Sequence, residues 1–192
     1  PTVPVTPPLR RGRPARHPAR TGYPESMTPT EIRHTLESLG LRATRIRGQN
    51  FLIDEAVLHT IIEAGHLSSD DVVVEIGPGL GVLTEQLIKR CRYVVSVELD
   101  HVLAEYIRKK FSNGSFHIKE GDARTFRNRE LIEDCGTQTY KVVANIPYNI
   151  TSELLLKFLQ EEPAPSELVL LMQREVAERI TAKPPHMNRL AI

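Results

Sequence analysis

Val72-Val73-Val74-Glu75-Ile76-Gly77-Pro78-Gly79-Leu80-Gly81 is the stretch that decides the fold. Its first five residues are mostly β-branched and too few for a helix, and glycines follow at once, so they read as a buried strand entering a tight turn. Positions without side chains let a ligand approach the backbone, and the amides of the helix that follows point at it. A dinucleotide fingerprint needs its third glycine one place later, where this chain has Val82. The spacing here is GxGxG.

Outward from this turn the pattern alternates. On its amino side, Thr28 and Glu31 form a capping box with Pro29 at the first helical position, and Ile32, Leu36 and Leu39 mark one apolar face before Gly40. A second helix is expected over 54–64, ending at Gly65. On the carboxyl side come a helix (83–90), a strand (Tyr93–Glu98), a helix (101–111), a strand (116–119), an irregular or helical stretch, a strand (141–144), a helix (152–159), a strand (167–172) and a helix (174–181). Strands alternating with helices imply an α/β protein, a doubly wound and mostly parallel Rossmann-like sheet. No internal repeat is visible.

Three positions after successive strands suit a nucleoside-bearing ligand. Glu98 closes the second strand, about 20 residues beyond the turn, where an acidic side chain accepts from ribose hydroxyls in such folds. Gly121-Asp122-Ala123 follows the third strand and puts a carboxylate where it can accept from an adenine amino group. Asn145-Ile146-Pro147-Tyr148 follows the fourth strand, at the carboxyl edge where open sheets bind ligands. An exocyclic adenine amine is a poor nucleophile because its lone pair is delocalised into the ring. Methyl transfer to it benefits from acceptors that hold the nitrogen in a more tetrahedral state. The Asn145 side-chain oxygen and the Pro147 carbonyl suit that role, Tyr148 can stack on the base, and proline stiffens the loop. No strong base is needed before transfer, because the nitrogen becomes acidic as it gains positive charge.

Composition narrows the alternatives. Lys+Arg at 25 against Asp+Glu at 24 leaves a net charge of +1, so affinity for nucleic acid has to come from local patches. Cys91 and Cys135 fit neither a disulfide framework nor a zinc pattern and receive no chemistry. No apolar run reaches the length that crosses a bilayer, which points to an aqueous compartment, the cytoplasm, and no membrane partner. Residues 1–26 are rich in Pro and Arg, carry no acid before Glu25 and show no hydrophobic period, so a disordered basic extension is expected there. It suits a transit peptide, a basic arm, or a start codon placed too far upstream, since Met27 directly precedes the first helix. Residues 27–192 then read as one domain, expected to be incomplete at its carboxyl end.

Four blocks in order resemble the ribosomal RNA adenine dimethyltransferase family: Gly48-Gln49-Asn50-Phe51-Leu52-Ile53-Asp54; Val74-Glu75-Ile76-Gly77-Pro78-Gly79-Leu80-Gly81; Asn145-Ile146-Pro147-Tyr148-Asn149-Ile150-Thr151; and Met172-Gln173-Arg174-Glu175-Val176-Ala177-Glu178-Arg179. The resemblance runs from about Thr28 to Leu190. It implies S-adenosyl-L-methionine as cofactor and a class I methyltransferase fold. Asn50 and Leu52 would touch the cofactor, Gly77 and Gly79 would lie against its methionine part, Glu98 would hold the ribose and Asp122 the adenine. Asn145 would join the cofactor site to the target base. The implied reaction is dimethylation at N6 of two adjacent adenosines in the 3′-terminal hairpin of small-subunit rRNA, by a monomer without metal acting on a pre-ribosomal particle. The family continues beyond Ala182-Lys183-Pro184 with a glycine-containing stretch and Arg-Leu-Ser-Val, then a closing hairpin and a helical domain. This chain has Pro185-His186-Met187-Asn188-Arg189-Leu190-Ala191-Ile192 instead.

Arg42, Arg45 and Arg47 cluster before the Gln49-Asn50 segment and are candidate phosphate contacts. Arg124, Arg127 and Arg129 are interspersed with Asn128, Glu130 and Glu133 and read as a solvated face. Met172 and Gln173 are expected to pack at a strand end. Two other functions remain open at the level of sequence. One is an amine methyltransferase for DNA adenine or protein glutamine, disfavoured by Ile146 in place of a proline. The other is a non-catalytic mitochondrial-type transcription factor of the same fold, disfavoured by the intact Glu98, Asp122 and Asn145.

Overall fold

The computed structural model describes residues 27–41, 54–112, 114–146 and 150–182. The chain divides into two compact units. The larger, residues 26–173, holds the sheet.

Helix α1 (Pro29–Ser38) starts at the expected capping box: the Glu31 amide donates to Thr28 Oγ1 at 3.3 Å and the Thr28 amide to Glu31 Oε2 at 2.7 Å. Helix α2 (Glu55–Ala64) is capped by Asp54, whose Oδ1 accepts from the amides of Ala56 and Val57. Then come β1 (Val72–Ile76), α3 (Val82–Ile88), β2 (Tyr93–Glu98), α4 (His101–Lys110), β3 (Phe116–Glu120), a short α5 (Asn128–Leu131) with a 3-10 turn after it, β4 (Lys141–Asn145), α6 (Thr151–Gln160) and β5 (Glu167–Leu171). In the other unit, α7 (Arg174–Ile180) carries an i,i+4 pair between Arg174 and Glu178 at 2.7 Å.

The five strands are all parallel, in the order β3-β2-β1-β4-β5. Parallel strands are covered on both faces, which is why β1 reads as a run of apolar residues broken only by Glu75 rather than as an alternation. Val73, Val94, Phe116, Ile118 and Val143 pack toward α2, α3 and α4 through Leu58, Ile61, Leu83, Leu87, Ala104 and Ile107. Val72, Val74, Val95, Val97, Val142 and Ala144 face the other way, against Leu131 of α5 and Leu154 and Phe158 of α6. Right-handed crossovers demand this division, because the chain winds outward from β1 through β2 to β3 and then returns to lay β4 on the opposite side of β1. The return leaves β1 and β4 as neighbours whose connections leave in opposite directions, and their carboxyl ends form the crevice in which such sheets bind ligands. A smaller cluster joins Ile32 and Leu36 of α1 to Leu80 of the glycine turn and Leu103 of α4.

The expected doubly wound sheet is thus present, with element ends displaced by a residue or two from those read in the sequence. Gln173 departs from expectation: it is exposed, and only Met172 is half-buried at the end of β5. Residues 1–26 lie outside the described residues. No helix among the described residues is long and apolar enough to cross a membrane.

The α6 face separates a core position from a surface one. Phe158 is fully buried, whereas the adjacent Leu159 is 47% exposed. Phe158→Ala should lower unfolding free energy by about 3–5 kcal/mol, and Leu159→Ser should change it by no more than about 0.5 kcal/mol, both read from urea denaturation. Equal effects would show that α6 does not dock by this face.

Candidate active site

The glycine turn is shaped by what surrounds it. Gly77, Gly79 and Gly81 all have positive φ, at 68°, 57° and 81°. At Gly81 the backbone also runs against α4: a Cβ there would stand 2.5 Å from Phe111 Cε2 and 2.8 Å from Ile107 Cδ1. Both conformation and space therefore demand glycine at that position. Lys110, its ammonium over the rings of Tyr106 and Phe111, donates to the Leu80 carbonyl at 2.9 Å, and desolvation of that group holds its pKa below the usual lysine value. No signal in the sequence marks that contact.

Two buried carboxylates support the turn from below. Glu75 Oε2 accepts from Thr84 Oγ1 of α3 at 2.7 Å and from Ser96 Oγ of β2 at 2.6 Å. One side chain thus ties β1, β2 and α3 together. Burial pushes its pKa up to about 7, partly offset by the two hydroxyls, with the nearby Glu98 charge adding to the rise. Glu98, the last residue of β2 and equally buried, accepts from the Asp100 amide at 3.0 Å and from the Gly79 amide at 3.3 Å. Burial raises its pKa as well, against the hydrogen bonds from the Asp100, Gly79 and Leu99 amides that lower it. Leu99 follows directly and is 70% exposed, apolar surface beside an acid at the rim of the crevice. Its place after the strand's terminal acid is the only sequence signal for it.

Asp122 follows β3 and is half-buried, and its carboxylate is not bare. Arg124 donates to both oxygens, from Nε at 2.9 and 3.0 Å and from Nη2 at 2.5 Å, and its amide adds a bond to Oδ1 at 3.0 Å. Hydrogen bonding to Arg124 is the main cause that holds the Asp122 carboxyl below the usual range. Arg124 therefore stands apart from the solvated face read from the sequence: it is ion-paired to Asp122 and, through Nη1, to Glu153 of α6 at 3.2 Å. Its neighbours Arg127 and Arg129 are exposed as expected.

Asn145 is the last residue of β4 and half-buried. Val74 of β1 pairs with Val142 of β4, so three residues further on Gly77 and Asn145 stand at the ends of neighbouring strands. The structure thus brings Gly77, Gly79, Glu98, Asp122 and Asn145 to one edge of the sheet. Pro147 and Tyr148, Asn50 and Leu52, and Arg42, Arg45 and Arg47 lie outside the described residues. Cys91 is buried, with its thiol pushed up to about 12 by burial and by the Asp71 charge, which agrees with the absence of assigned chemistry.

Residues 41–192 match the family model for ribosomal RNA adenine dimethylase. The chain belongs to that family. A curated relative, the ribosomal RNA small subunit methyltransferase A of Dehalococcoides mccartyi, is 40% identical over 175 residues, which is 91% of this chain and 59% of that protein. The family member described here thus spans about three fifths of that relative's length. Among solved structures, the 23S rRNA methyltransferase ErmE is similar at 32% identity and a TM-score of 0.61, over 69% of this chain and 51% of that one. A dimethyladenosine transferase from Plasmodium falciparum matches at 30% identity and a TM-score of 0.60, over 71% and 49%. The sheet is accordingly that of the Rossmann-like class I S-adenosylmethionine-dependent methyltransferases.

Glu75 gives a pH signature. Its folded pKa, about 7, exceeds the ordinary 4.5, so between those values the unfolded chain releases the proton while the folded chain keeps it. Folding stability contributed by this group is present below about pH 4.5, falls as pH rises to about 7 and levels off above. Glu75→Gln should flatten that part of the stability–pH curve in urea titrations. The same slope in the variant would mean that another group is responsible.

Proposed function

We propose that this family member binds S-adenosylmethionine along the carboxyl edge of the sheet and transfers methyl groups to N6 of adenosines in small-subunit rRNA. The observation that carries the reading is the pairing of β1 with β4, which sets Asn145 beside the glycine turn at the switch point.

The residues present fit the cofactor chemically. Glu98, oriented by backbone amides, is an acceptor suited to a ribose diol. Asp122 is an acceptor for an adenine amine, Leu99 offers an apolar wall for the ring, and Gly77 and Gly79 leave room for the amino-acid part. Asn50 and Leu52 join this set on the family resemblance. When bound, S-adenosylmethionine supplies an electrophilic methyl group on a sulfonium. Asn145 Oδ1 accepts from the target amine and holds its nitrogen facing that methyl, so that alignment supplies a large part of the rate. The Pro147 carbonyl is the second acceptor and Tyr148 stacks on the base. The amine loses its proton to water after it has gained positive charge, and no residue of the edge is needed as a strong base.

The curated relative's name supports small-subunit rRNA as substrate. The remainder of the proposal rests on the family resemblance: a pre-ribosomal particle in the cytoplasm as the setting, a metal-free monomer as the acting form, and two adjacent adenosines each dimethylated. Arg42, Arg45 and Arg47 would then meet phosphate at the entrance. The likeness to ErmE favours a second reading, an adenine of large-subunit rRNA.

The two readings separate in one assay. Tritiated S-adenosylmethionine is given to the chain with small or large ribosomal subunits lacking adenine dimethylation, and the labelled nucleoside is identified after digestion. Label in N6,N6-dimethyladenosine of small-subunit rRNA, lost in Asn145→Ala, is the expected result. Label in the large subunit alone would favour the second reading, and label in neither would overturn both. For the cofactor, Glu98→Gln or Glu98→Ala should weaken S-adenosylmethionine binding by about 1.5–3 kcal/mol, roughly ten- to a hundredfold in Kd by calorimetry. Unchanged affinity would remove Glu98 from the site.

A further inference from the structure

We propose that Arg124 is a latch on the cofactor site: in the free chain its guanidinium holds the acceptor positions of Asp122 that an adenine amine requires, so the cofactor must displace it to bind. The inference rests on the reading of Asp122 as the adenine acceptor and adds to it a competing group within the chain.

A carboxylate offers about four lone-pair positions, two on each oxygen. Oδ1 of Asp122 accepts from the Arg124 amide at 3.0 Å and from Nε at 2.9 Å. Oδ2 accepts from Nε at 3.0 Å and from Nη2 at 2.5 Å. The amide bond is part of the turn that also carries the Thr125 amide to the Asp122 carbonyl, so it stays when a ligand arrives. The guanidinium bonds are different. They come from a side chain that is 40% exposed and that has a second anchor, Glu153, in the first turn of α6 at 3.2 Å. An exposed arginine with another carboxylate within reach can leave Asp122 without stranding a charge.

Such a contact also has the strength of a latch rather than a lock. Ion pairs near the surface contribute little and are screened by salt. Opening it therefore weakens cofactor binding by a small factor and leaves the site usable. The Glu153 anchor gives the latch a second consequence. It joins the loop after β3 to α6, and an Arg124 displaced from Asp122 keeps that bond to Glu153 when the adenine is seated.

A merely preorganising arginine, one that holds Asp122 in place for the ligand, predicts the opposite effect of its removal. The test is calorimetric binding of S-adenosylhomocysteine, which carries no net charge, to the whole chain and its variants, with thermal melting as the check on folding. Arg124→Ala and Arg124→Gln should tighten binding by about two- to fivefold. Raising salt should tighten binding to the unsubstituted chain by a similar factor and leave the variants level, and this salt arm stands even if a variant fails to fold. Weaker or unchanged binding in the variants, or an affinity of the unsubstituted chain that does not rise with salt, would overturn the latch. Asp122→Ala in the Arg124→Ala background separates the two layers: weakened binding keeps Asp122 as the acceptor, and unchanged binding defeats the adenine reading and the latch with it.

Discussion

The site depends on one buried carboxyl. Glu75 sits at the end of the central strand with no exposure to speak of, and its Oε2 gathers the hydroxyls of Thr84 and Ser96. Those bonds hold β1, β2 and α3 in the arrangement that shapes the glycine turn, with Lys110 fastening Leu80 from the other side. A turn built on three glycines has little packing of its own beyond Leu80 to hold it. Its geometry has to be imposed by neighbours, and a buried acid that is hydrogen-bonded to two elements does this at the cost of a perturbed pKa. Glu98 continues the same scheme one strand over, with its hold on the Gly79 amide. The groups that shape the turn and the group suited to a ribose are thus adjacent, and the ligand site is part of the fold's own hydrogen bonding.

The order of strands was legible because parallel strands buried on both faces are spelled as short β-branched runs, and because the capping box at Thr28 and the glycines at 77, 79 and 81 punctuate them. The polar residues at strand ends were legible by position: Glu98 and Asn145 close β2 and β4, and Asp122 follows β3 after a single glycine. What remained hidden were contacts between residues distant in sequence. Lys110 reaches Leu80 across 30 positions, and Arg124 reaches Glu153 across 29. No periodicity encodes those meetings, and only the packing of α4 and α6 on the sheet brings them about. The arginines at 124, 127 and 129 looked alike as a charge run, yet Arg124 alone lies close enough to Asp122 and α6 to be paired with both.

Family membership and geometry contribute different things. The match over residues 41–192 identifies the kind of protein. The geometry says why the family's residues suffice: the switch point between β1 and β4 is a consequence of winding direction, and any side chain ending β4 will face the turn after β1. Replacing the residues at that edge changes the chemistry while the sheet persists, which is how one fold serves many methyl acceptors. A chain with a net charge of +1 offers little long-range attraction to nucleic acid, so the proposed RNA substrate would have to be recognised by surfaces beyond the edge.

The central claim, that this edge is the cofactor site, is tested most directly by a crystal structure of the chain with S-adenosylhomocysteine. The ribose hydroxyls are expected on Glu98, the adenine amine on Asp122 and the amino-acid part over Gly77 and Gly79, within reach of Asn145. A ligand bound elsewhere, or bound here with Glu98 and Asp122 making no contact to the nucleoside, would contradict it.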